Sequence, residues 1–292
     1  MTARFVQFRD AADPQPRLGV VLGNDVVDLQ VLDANLPRDL VALITAGTDA
    51  LADAHRRAQA APASARRPLA DLQLLPPVPR PGKVICLGLN YADHAAEGGN
   101  ARPDYPSFFM RGASSLIAHG APLVRPRVSQ KLDFEAELAV VIGRRARHLT
   151  LADALDAVAG YSCFNDGTLR DYQRRTAQWT IGKNFDGTGA FGPWFVPASE
   201  LPPGAVGLAI SSRLNGQVMQ SDNTKNMMFP VAETLRLITE AMTLEPGDVV
   251  IMGTPAGVGY ARTPPVWMKP GDRIEIEIEG VGVLANTVED EA

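Results

Sequence analysis

The chain has 292 residues, of which 46% are hydrophobic and 21% charged, so it can bury a sizeable core. Its formal net charge of −5 gives no broad positive field, which excludes a general affinity for nucleic acid or for an anionic membrane surface. No apolar run is long enough to span a bilayer, and residues 1–10 lack the apolar stretch of a signal peptide. We therefore expect a cytoplasmic protein whose partner is a small molecule.

The N-terminal quarter of the chain predicts a small α+β domain. Alternating apolar residues indicate three strands, and two short helices follow, with expected ranges 4–8, 18–21, 26–29, 39–45 and 51–60. Four prolines then fall within residues 76–81, which prevents a regular element. We predict a small domain at 1–75, a proline-rich linker at 76–82 and a catalytic domain at 83–292.

The larger domain contains apolar, β-branched runs at irregular spacing, with few helices between them. The expected strands lie at 83–87, 136–142, 206–212, 248–251 and 273–278, and the expected helices at 151–158 and 230–242. A doubly wound sheet would show a regular alternation of strands and helices. The irregular pattern instead predicts a mixed α/β fold that is predominantly β, with functional residues on loops.

Two predicted strands carry a Glu-x-Glu pattern, and only one of them is unusual. Around Glu275 and Glu277 apolar residues alternate cleanly, as in a half-buried strand whose acids face water. After Glu135 and Glu137 both faces become apolar, which indicates a strand covered on both sides. Two covered carboxylates cost on the order of several kcal/mol unless they are compensated. A metal ion, an arginine pair and an exposed acidic patch all remain open at this point.

A second polar cluster lies at 165–173, directly after an apolar run at 161–164. Asp166 and Arg170 are four residues apart, so they would share one face if a helix begins here. An ordinary ion pair with a helix cap is the alternative interpretation.

Two further clusters indicate proton transfer and ligand binding. His94 and Glu97 are three residues apart, so they would be neighbours on a helix, and a carboxylate beside an imidazole makes it a better base. A partly exposed surface pair is the alternative interpretation. Lys183 stands between glycine and aromatic residues rather than in a charged run. This position favours a lysine that contacts a specific partner over one that is simply solvated.

Taken in order, these motifs together with Gly253-Thr254-Pro255 resemble the fumarylacetoacetate hydrolase family over about residues 83–288. The resemblance implies a β-sandwich roll behind a small N-terminal α+β domain, commonly a homodimer, with Mg²⁺ or Mn²⁺ in its site. By position, it implies the metal ligands Glu135, Glu137 and Asp166. It also implies catalytic roles for His94, Glu97 and Lys183, and substrate contacts for Arg111, Arg170, Gln173 and Thr254.

These residue types suit chemistry on a 2-oxo acid. Three oxygen ligands without cysteine favour a hard cation such as Mg²⁺ or Mn²⁺ over zinc. In the first hypothesis, His94 and Glu97 activate water to cleave a C–C bond in an acylpyruvate or fumarylpyruvate, with a metal-stabilised pyruvate enolate as leaving group. An oxaloacetate decarboxylase or a 2-oxo diacid isomerase or hydratase is the alternative, and a non-catalytic binding protein is a third hypothesis.

Overall fold

The computed structural model describes residues 2–10, 13–97, 99 and 103–292. The strands, numbered in chain order, are β1 (Phe5–Asp10), β2 (Asp13–Leu22), β3 (Asp25–Asp28), β4 (Arg66–Pro68), β5 (Gln73–Leu75), β6 (Val84–Gly88), β7 (Ser107–Arg111), β8 (Leu116–Ile117), β9 (Leu123–Arg125), β10 (Leu132–Asp133), β11 (Ala136–Ile142), β12 (Val158–Asp166), β13 (Thr168–Leu169), β14 (Gly189–Pro197), β15 (Ala209–Leu214), β16 (Gln217–Asn223), β17 (Val249–Ile251), β18 (Arg273–Ile278) and β19 (Gly282–Asp290). The α-helices are α1 (Leu29–Leu32), α2 (Leu40–Thr45), α3 (Thr48–Gln59), α4 (Ala92–Glu97), α5 (Arg170–Gln173), α6 (Thr180–Lys183) and α7 (Val231–Ala241). Within these described ranges, none of the helices has both the length and the apolar character needed to cross a membrane.

One large sheet connects the N-terminal strands with the rest of the chain. Its order is β4-β3-β2-β1-β14-β12-β11-β17-β6-β7, with β5 beside β1 and β8 beside β14. The junction is antiparallel, and Phe5 of β1 lies opposite Phe195 of β14. The segment before residue 76 therefore shares a sheet with the segment after residue 83. The predicted division into two domains stays a prediction.

The central strand β11 is buried along its whole length because both of its faces are apolar. Leu138 and Val140 pack on one face in a core that includes Ile276 of β18. Ala139 packs on the other face in a core that includes Phe5 and apolar residues of α2 and α3. The predicted two-sided cover of this strand is confirmed.

A five-stranded sheet in the order β16-β15-β18-β19-β9 forms the second layer. The isoleucines of β18 are buried, whereas Glu275 and Glu277 are partly exposed. These two glutamates form ion pairs with Arg273 and Arg213. The predicted half-buried strand is therefore confirmed.

Two local expectations from the sequence are wrong. The helix expected at 151–158 is a turn followed by a 3₁₀ helix at Ala154–Ala157. Val158 already begins β12 and pairs with Ile142, which requires an extended backbone there. The strand expected from residue 206 begins only at Ala209, because Gly207 has a φ of +91° in the left-handed region.

The register of β11 against β12 brings the acidic residues together. Ala136 lies opposite Asn165. Just before β11, the N–H of Glu135 donates to Oδ1 of Asn165 at 3.0 Å. The N–H of Asp166 in turn donates to the carbonyl of Glu135, also at 3.0 Å. Backbone hydrogen bonds thus hold Glu135 beside Asp166, although the two residues lie far apart in the sequence.

The shared sheet predicts that the N-terminal strands stabilise the rest of the chain. The ring of Phe5 is fully buried and its centroid lies 6.3 Å from that of Phe195, so Phe5→Ala should cost about 3–5 kcal/mol of unfolding free energy. Urea unfolding followed by tryptophan fluorescence measures this, since all three tryptophans lie after residue 83.

The matched control is Val128→Ala, because Val128 is 60% exposed. This variant should change the unfolding free energy by no more than about 0.5 kcal/mol. A tryptophan transition that is unchanged in Phe5→Ala would show that the N-terminal strands do not support the rest of the sheet.

Candidate metal centre and active site

Three acidic side chains converge where β11 and β12 meet. Glu135 immediately precedes β11, Glu137 lies within it, and Asp166 is the last residue of β12. One carboxylate oxygen from each residue lies within 4.8 Å of the other two, and all three residues are buried. The structure thus brings together the three residues predicted as metal ligands.

No helix begins at Asp166, so the condition under which Asp166 and Arg170 would share a helix face is not met. Between them lies β13, which pairs with β10 and keeps the backbone extended. The helix α5 begins only at Arg170. The two side chains reach the site from different elements.

Lys183 and Arg170 hold the acidic group from two sides. Nζ of Lys183 lies 2.6 Å from Oε2 of Glu135 and 2.6 Å from Oδ2 of Asp166. Nη2 of Arg170 donates to Oε1 of Glu135 at 2.5 Å, and its Nε donates to Oδ2 of Asp133 at 2.8 Å. Each of these cations therefore contacts two carboxylates.

Arg111 lies behind the site rather than at its surface. Its guanidinium is buried and donates to Asp166. It also donates to Oγ1 of Thr188 at 2.9 Å and to the carbonyl of Gly167 at 3.2 Å. Arg111 was predicted to contact substrate, but these bonds direct it at Asp166, which it orients.

The buried cluster contains more acids than bases. Its acids are Asp133, Glu135, Glu137 and Asp166, and its bases are Arg111, Arg170 and Lys183. With all seven groups ionised, one negative charge is left without a compensating positive charge. Burying such a charge without compensation is costly.

The excess charge is concentrated at Glu137. Among the described residues, its carboxylate accepts one hydrogen bond, from the N–H of Gly253 at 2.6 Å. Burial and the charges of Asp166 and Glu135 raise its pKa well above the ordinary value. Burial also acts to raise the pKa of Glu135, but Arg170 and Lys183 outweigh it and lower that pKa to about 2.

A divalent cation fits this group of residues. The donors are three carboxylate oxygens, which hard ions such as Mg²⁺ and Mn²⁺ prefer. A cation beside Glu137 would remove the excess negative charge and favour the ionised form of its carboxylate. The donor set and its charge thus agree with the predicted type of ion.

The loop after β17 supports Glu137 and positions Thr254. Gly253 has a φ of +81°, and a Cβ there would lie 2.7 Å from Cβ of Asn90, so the position requires glycine. Oγ1 of Thr254 donates to the carbonyl of Ala136 at 2.9 Å, which ties the loop to β11.

His94 and Glu97 form the second part of the site. Both lie on α4, and Nδ1 of His94 is 2.8 Å from Oε1 of Glu97, as their spacing predicted. Oε2 of Glu97 accepts the N–H of Gly257 at 2.9 Å. An ionised carboxylate only accepts, so in the neutral imidazole this contact favours the tautomer with the proton on Nδ1 and the lone pair on Nε2. His94 thus has the form of a base.

A single cavity of about 350 Å³ joins the two parts of the site. Its polar wall is formed by His94, Glu135, Glu137, Arg170, Gln173, Arg174, Lys183 and Thr254, and its less polar wall by Leu87, Gly88, Leu89, Phe109, Trp179 and Tyr260. Among the predicted substrate contacts, Arg170, Gln173 and Thr254 line this cavity, whereas Arg111 does not.

In the less polar wall, the backbone of Gly88 lies very close to the ring of Trp179. A Cβ on Gly88 would lie 2.0 Å from the ring of Trp179, so only glycine allows this position of the ring. The next residue, Leu89, has a φ of 56°, which is unfavourable for a branched side chain. Strain at this point of the wall is consistent with a functional site.

The apolar lining residues were not predicted as part of the site, nor were Asp133, Arg174 and Tyr260. Asp133 binds Arg170 and accepts the N–H of Tyr260 at 3.0 Å. The ring of Tyr260 in turn contacts Arg170 and Arg174. Asp133 lies two residues before Glu135, the spacing of side chains on one face of a strand, and Arg174 lies four residues after Arg170, the spacing of neighbours on a helix. Both could therefore have been predicted from the sequence. No nearby sequence pattern indicates that Tyr260 belongs to the site.

Comparison with known proteins places the chain in a family. A model of the fumarylacetoacetate hydrolase C-terminal region matches residues 83–289. The mitochondrial oxaloacetate tautomerase of Rattus norvegicus is 39% identical over 288 residues, which covers 98% of this chain and 91% of that protein.

Two solved structures are similar over nearly the whole chain. The fumarylacetoacetate hydrolase of Exiguobacterium antarcticum has a TM-score of 0.84 at 34% identity and covers 99% of this chain and 100% of its own. The maleylpyruvate hydrolase of Sphingobium sp. SYK-6, solved with manganese(II) and pyruvate, has a TM-score of 0.81 at 31% identity with the same coverage, 99% and 100%. The predicted mixed, predominantly β fold is therefore confirmed, and the chain belongs to the fumarylacetoacetate hydrolase family.

Proposed function

We propose that this chain is a Mg²⁺- or Mn²⁺-dependent enzyme that acts on a small 2-oxo acid, with His94 as the proton-transfer group. The observation that carries the proposal is that His94, Glu135 and Glu137 line one cavity. A base and a cluster of metal-binding oxygens can thus act on the same small molecule. The manganese(II) and pyruvate in the maleylpyruvate hydrolase structure support this assignment.

Glu135, Glu137 and Asp166 would hold the ion through their converging oxygens. When bound, the ion acts as a Lewis acid on the oxygens of a 2-oxo carboxylate. Lys183 contacts Glu135 and Asp166 together and so fixes the orientation of both carboxylates. Arg170 fixes the other oxygen of Glu135.

The first proposed reaction is hydrolysis of a C–C bond in an acylpyruvate. His94 takes a proton from water, and the resulting hydroxide adds to the distal carbonyl carbon. The C–C bond then breaks to give a carboxylic acid and pyruvate, whose new methyl group receives the proton from His94. Glu97 supports both steps because it accepts a hydrogen bond from Nδ1–H and stabilises the imidazolium.

The second proposed reaction is keto–enol interconversion of oxaloacetate. It is favoured by the oxaloacetate tautomerase that is 39% identical over nearly the whole chain. Here His94 would move a proton between C3 and the enol oxygen, and no water would be consumed. The two reactions therefore differ in the group that gives its proton to His94.

A substrate panel tests the proposal. Acetylpyruvate, fumarylpyruvate and oxaloacetate would each be supplied with Mn²⁺ and with EDTA. We expect turnover with Mn²⁺, loss of activity with EDTA and recovery when the ion is restored, because the Lewis acid is then returned. Pyruvate release from acetylpyruvate or fumarylpyruvate measures hydrolysis, and pyruvate release from oxaloacetate measures decarboxylation. Loss of the enol absorbance of oxaloacetate without pyruvate release measures tautomerisation. A rate that EDTA leaves unchanged would contradict the metal dependence.

Replacement of His94 tests the base. We expect His94→Ala to lower the turnover number by about 10²- to 10⁴-fold, the usual contribution of general acid–base catalysis, while Mn²⁺ affinity is retained. The control is His148→Asn, since His148 is exposed and has a φ of 54° that asparagine tolerates. Turnover by His94→Ala equal to that of the control would remove His94 from the mechanism.

Replacement of Glu137 tests the metal site directly. We expect Glu137→Gln to weaken Mn²⁺ binding by at least about 10- to 100-fold. Residues that only hydrogen-bond to a metal ligand already contribute a factor of that size, and Glu137 is proposed to bind the ion directly. Isothermal titration with Mn²⁺ measures the affinity without any substrate. The control is Glu277→Gln in the second Glu-x-Glu strand, where the side chain is 41% exposed. Equal Mn²⁺ affinities in the two variants would exclude Glu137 as a ligand.

A further inference from the structure

We infer that Arg174, at the mouth of the cavity, binds a second carboxylate of the substrate, so that the site prefers 2-oxo diacids to 2-oxo monoacids. Arg174 lines the cavity and is exposed to solvent on its outer side. The inference rests on the proposed function, since it concerns the far end of the same substrate. It assigns a specificity role to a residue outside the predicted site.

The first argument is that Arg174 is an uncompensated cation. Lys183 contacts Glu135 and Asp166, and Arg170 contacts Glu135 and Asp133, so both inner cations are neutralised by the protein. In the part of the chain that the structure describes, Arg174 makes no such ion pair with an aspartate or glutamate. A guanidinium that lines a cavity and lacks an internal partner favours an anionic ligand there.

The second argument is that the guanidinium of Arg174 is held in place. Its Cζ lies 4.4 Å from the ring centroid of Tyr260, and Cζ of Arg170 lies 4.3 Å from the same centroid. The backbone N–H of Tyr260 donates to Asp133 at 3.0 Å, which fixes the ring relative to the acidic cluster. Stacking reduces the entropy that Arg174 loses when it binds a ligand.

The third argument concerns the two ends of the cavity. The guanidiniums of Arg170 and Arg174 both contact the ring of Tyr260. The distance between their Cζ atoms is therefore at most the sum of the two distances from Cζ to the ring centroid. Arg170 is buried and contacts Glu135, a proposed ligand of the ion, whereas Arg174 is exposed to solvent. Phe109 and Trp179 line the wall beside them with apolar rings. A diacid with one carboxylate at the ion would have a second carboxylate to pair with Arg174, whereas a monoacid would leave Arg174 unpaired.

The neighbouring residue provides a matched control. Cζ of Arg175 lies 3.7 Å from the ring centroid of Tyr172, so Arg175 is also a stacked, exposed arginine. It is absent from the lining of this cavity. Replacing either arginine removes one positive charge from the same surface, but only Arg174 faces the ligand.

Binding of two acids that differ in one group tests the inference. The probes are 2-oxoglutarate and 2-oxopentanoate, which have the same five-carbon chain and end in a carboxylate or a methyl group. Isothermal titration of the Mn²⁺-loaded protein gives both dissociation constants. We expect the wild-type protein to bind 2-oxoglutarate more tightly than 2-oxopentanoate. Arg174→Gln should weaken 2-oxoglutarate binding by about 10- to 100-fold, as loss of a charged hydrogen bond does.

The same variant should change 2-oxopentanoate binding by less than about threefold, and Arg175→Gln should change neither constant by more than that. Arg174→Lys should retain part of the preference, because the charge remains. If Arg174→Gln weakens the binding of both acids equally, or of neither, the inference is overturned. The proposed function stays intact in that case, provided that the wild-type protein binds both acids. A wild-type protein that binds neither acid would overturn the inference and the proposed function together.

Discussion

The site depends on three buried carboxylates that the sheet does not allow to separate. Glu135 and Asp166 are joined by a backbone hydrogen bond of 3.0 Å, and Glu137 is two residues further along β11. Repulsion between these charges would favour a more open arrangement in an isolated peptide. The protein opposes it with Lys183 and Arg170, each of which contacts two acids. With all of these groups ionised, the remaining negative charge would favour a cation over an anion at this group.

The layers around β11 explain why the carboxylates are held so firmly. One face of the strand is covered by the core it shares with the second sheet, and the other by the core it shares with the N-terminal segment. No residue before position 76 lines the active-site cavity of the described chain. The N-terminal strands and helices therefore act on the site through burial: they keep water from the second face of the strand that carries Glu137. A low local dielectric strengthens every ion pair in the cluster.

Local features of the site could be predicted from the sequence, and distant contacts could not. The spacing of His94 and Glu97 is enough to predict that they are neighbours on a helix. The two apolar faces after Glu137 are enough to predict a strand that is covered on both sides. Whether Asp166 joins Glu135 depends on the register between β11 and β12, which no periodicity reveals; only the family resemblance suggested it. Arg111 was expected at the substrate from the family resemblance; its contact with Asp166 could not be predicted, because Asp166 comes from a strand far along the chain. The contact of Tyr260 with Arg170 arises in the same way, from a loop brought in by tertiary packing.

In the proposed site, the residues that transfer the proton differ from the residues that would select the substrate. His94 can accept a proton from water or from a carbon beside a carbonyl, and its pairing with Glu97 serves both cases equally. In the proposed function, an ion held by the acidic group would contact the 2-oxo carboxylate of either substrate. Neither element distinguishes an acylpyruvate from oxaloacetate, so in the proposed function discrimination would come from the rest of the cavity, where Arg174, Tyr260 and Trp179 line the wall. The chain is similar to both a hydrolase and a tautomerase, and the proposed division fits that similarity: the groups that handle the proton would be the same, while other lining residues would select the substrate.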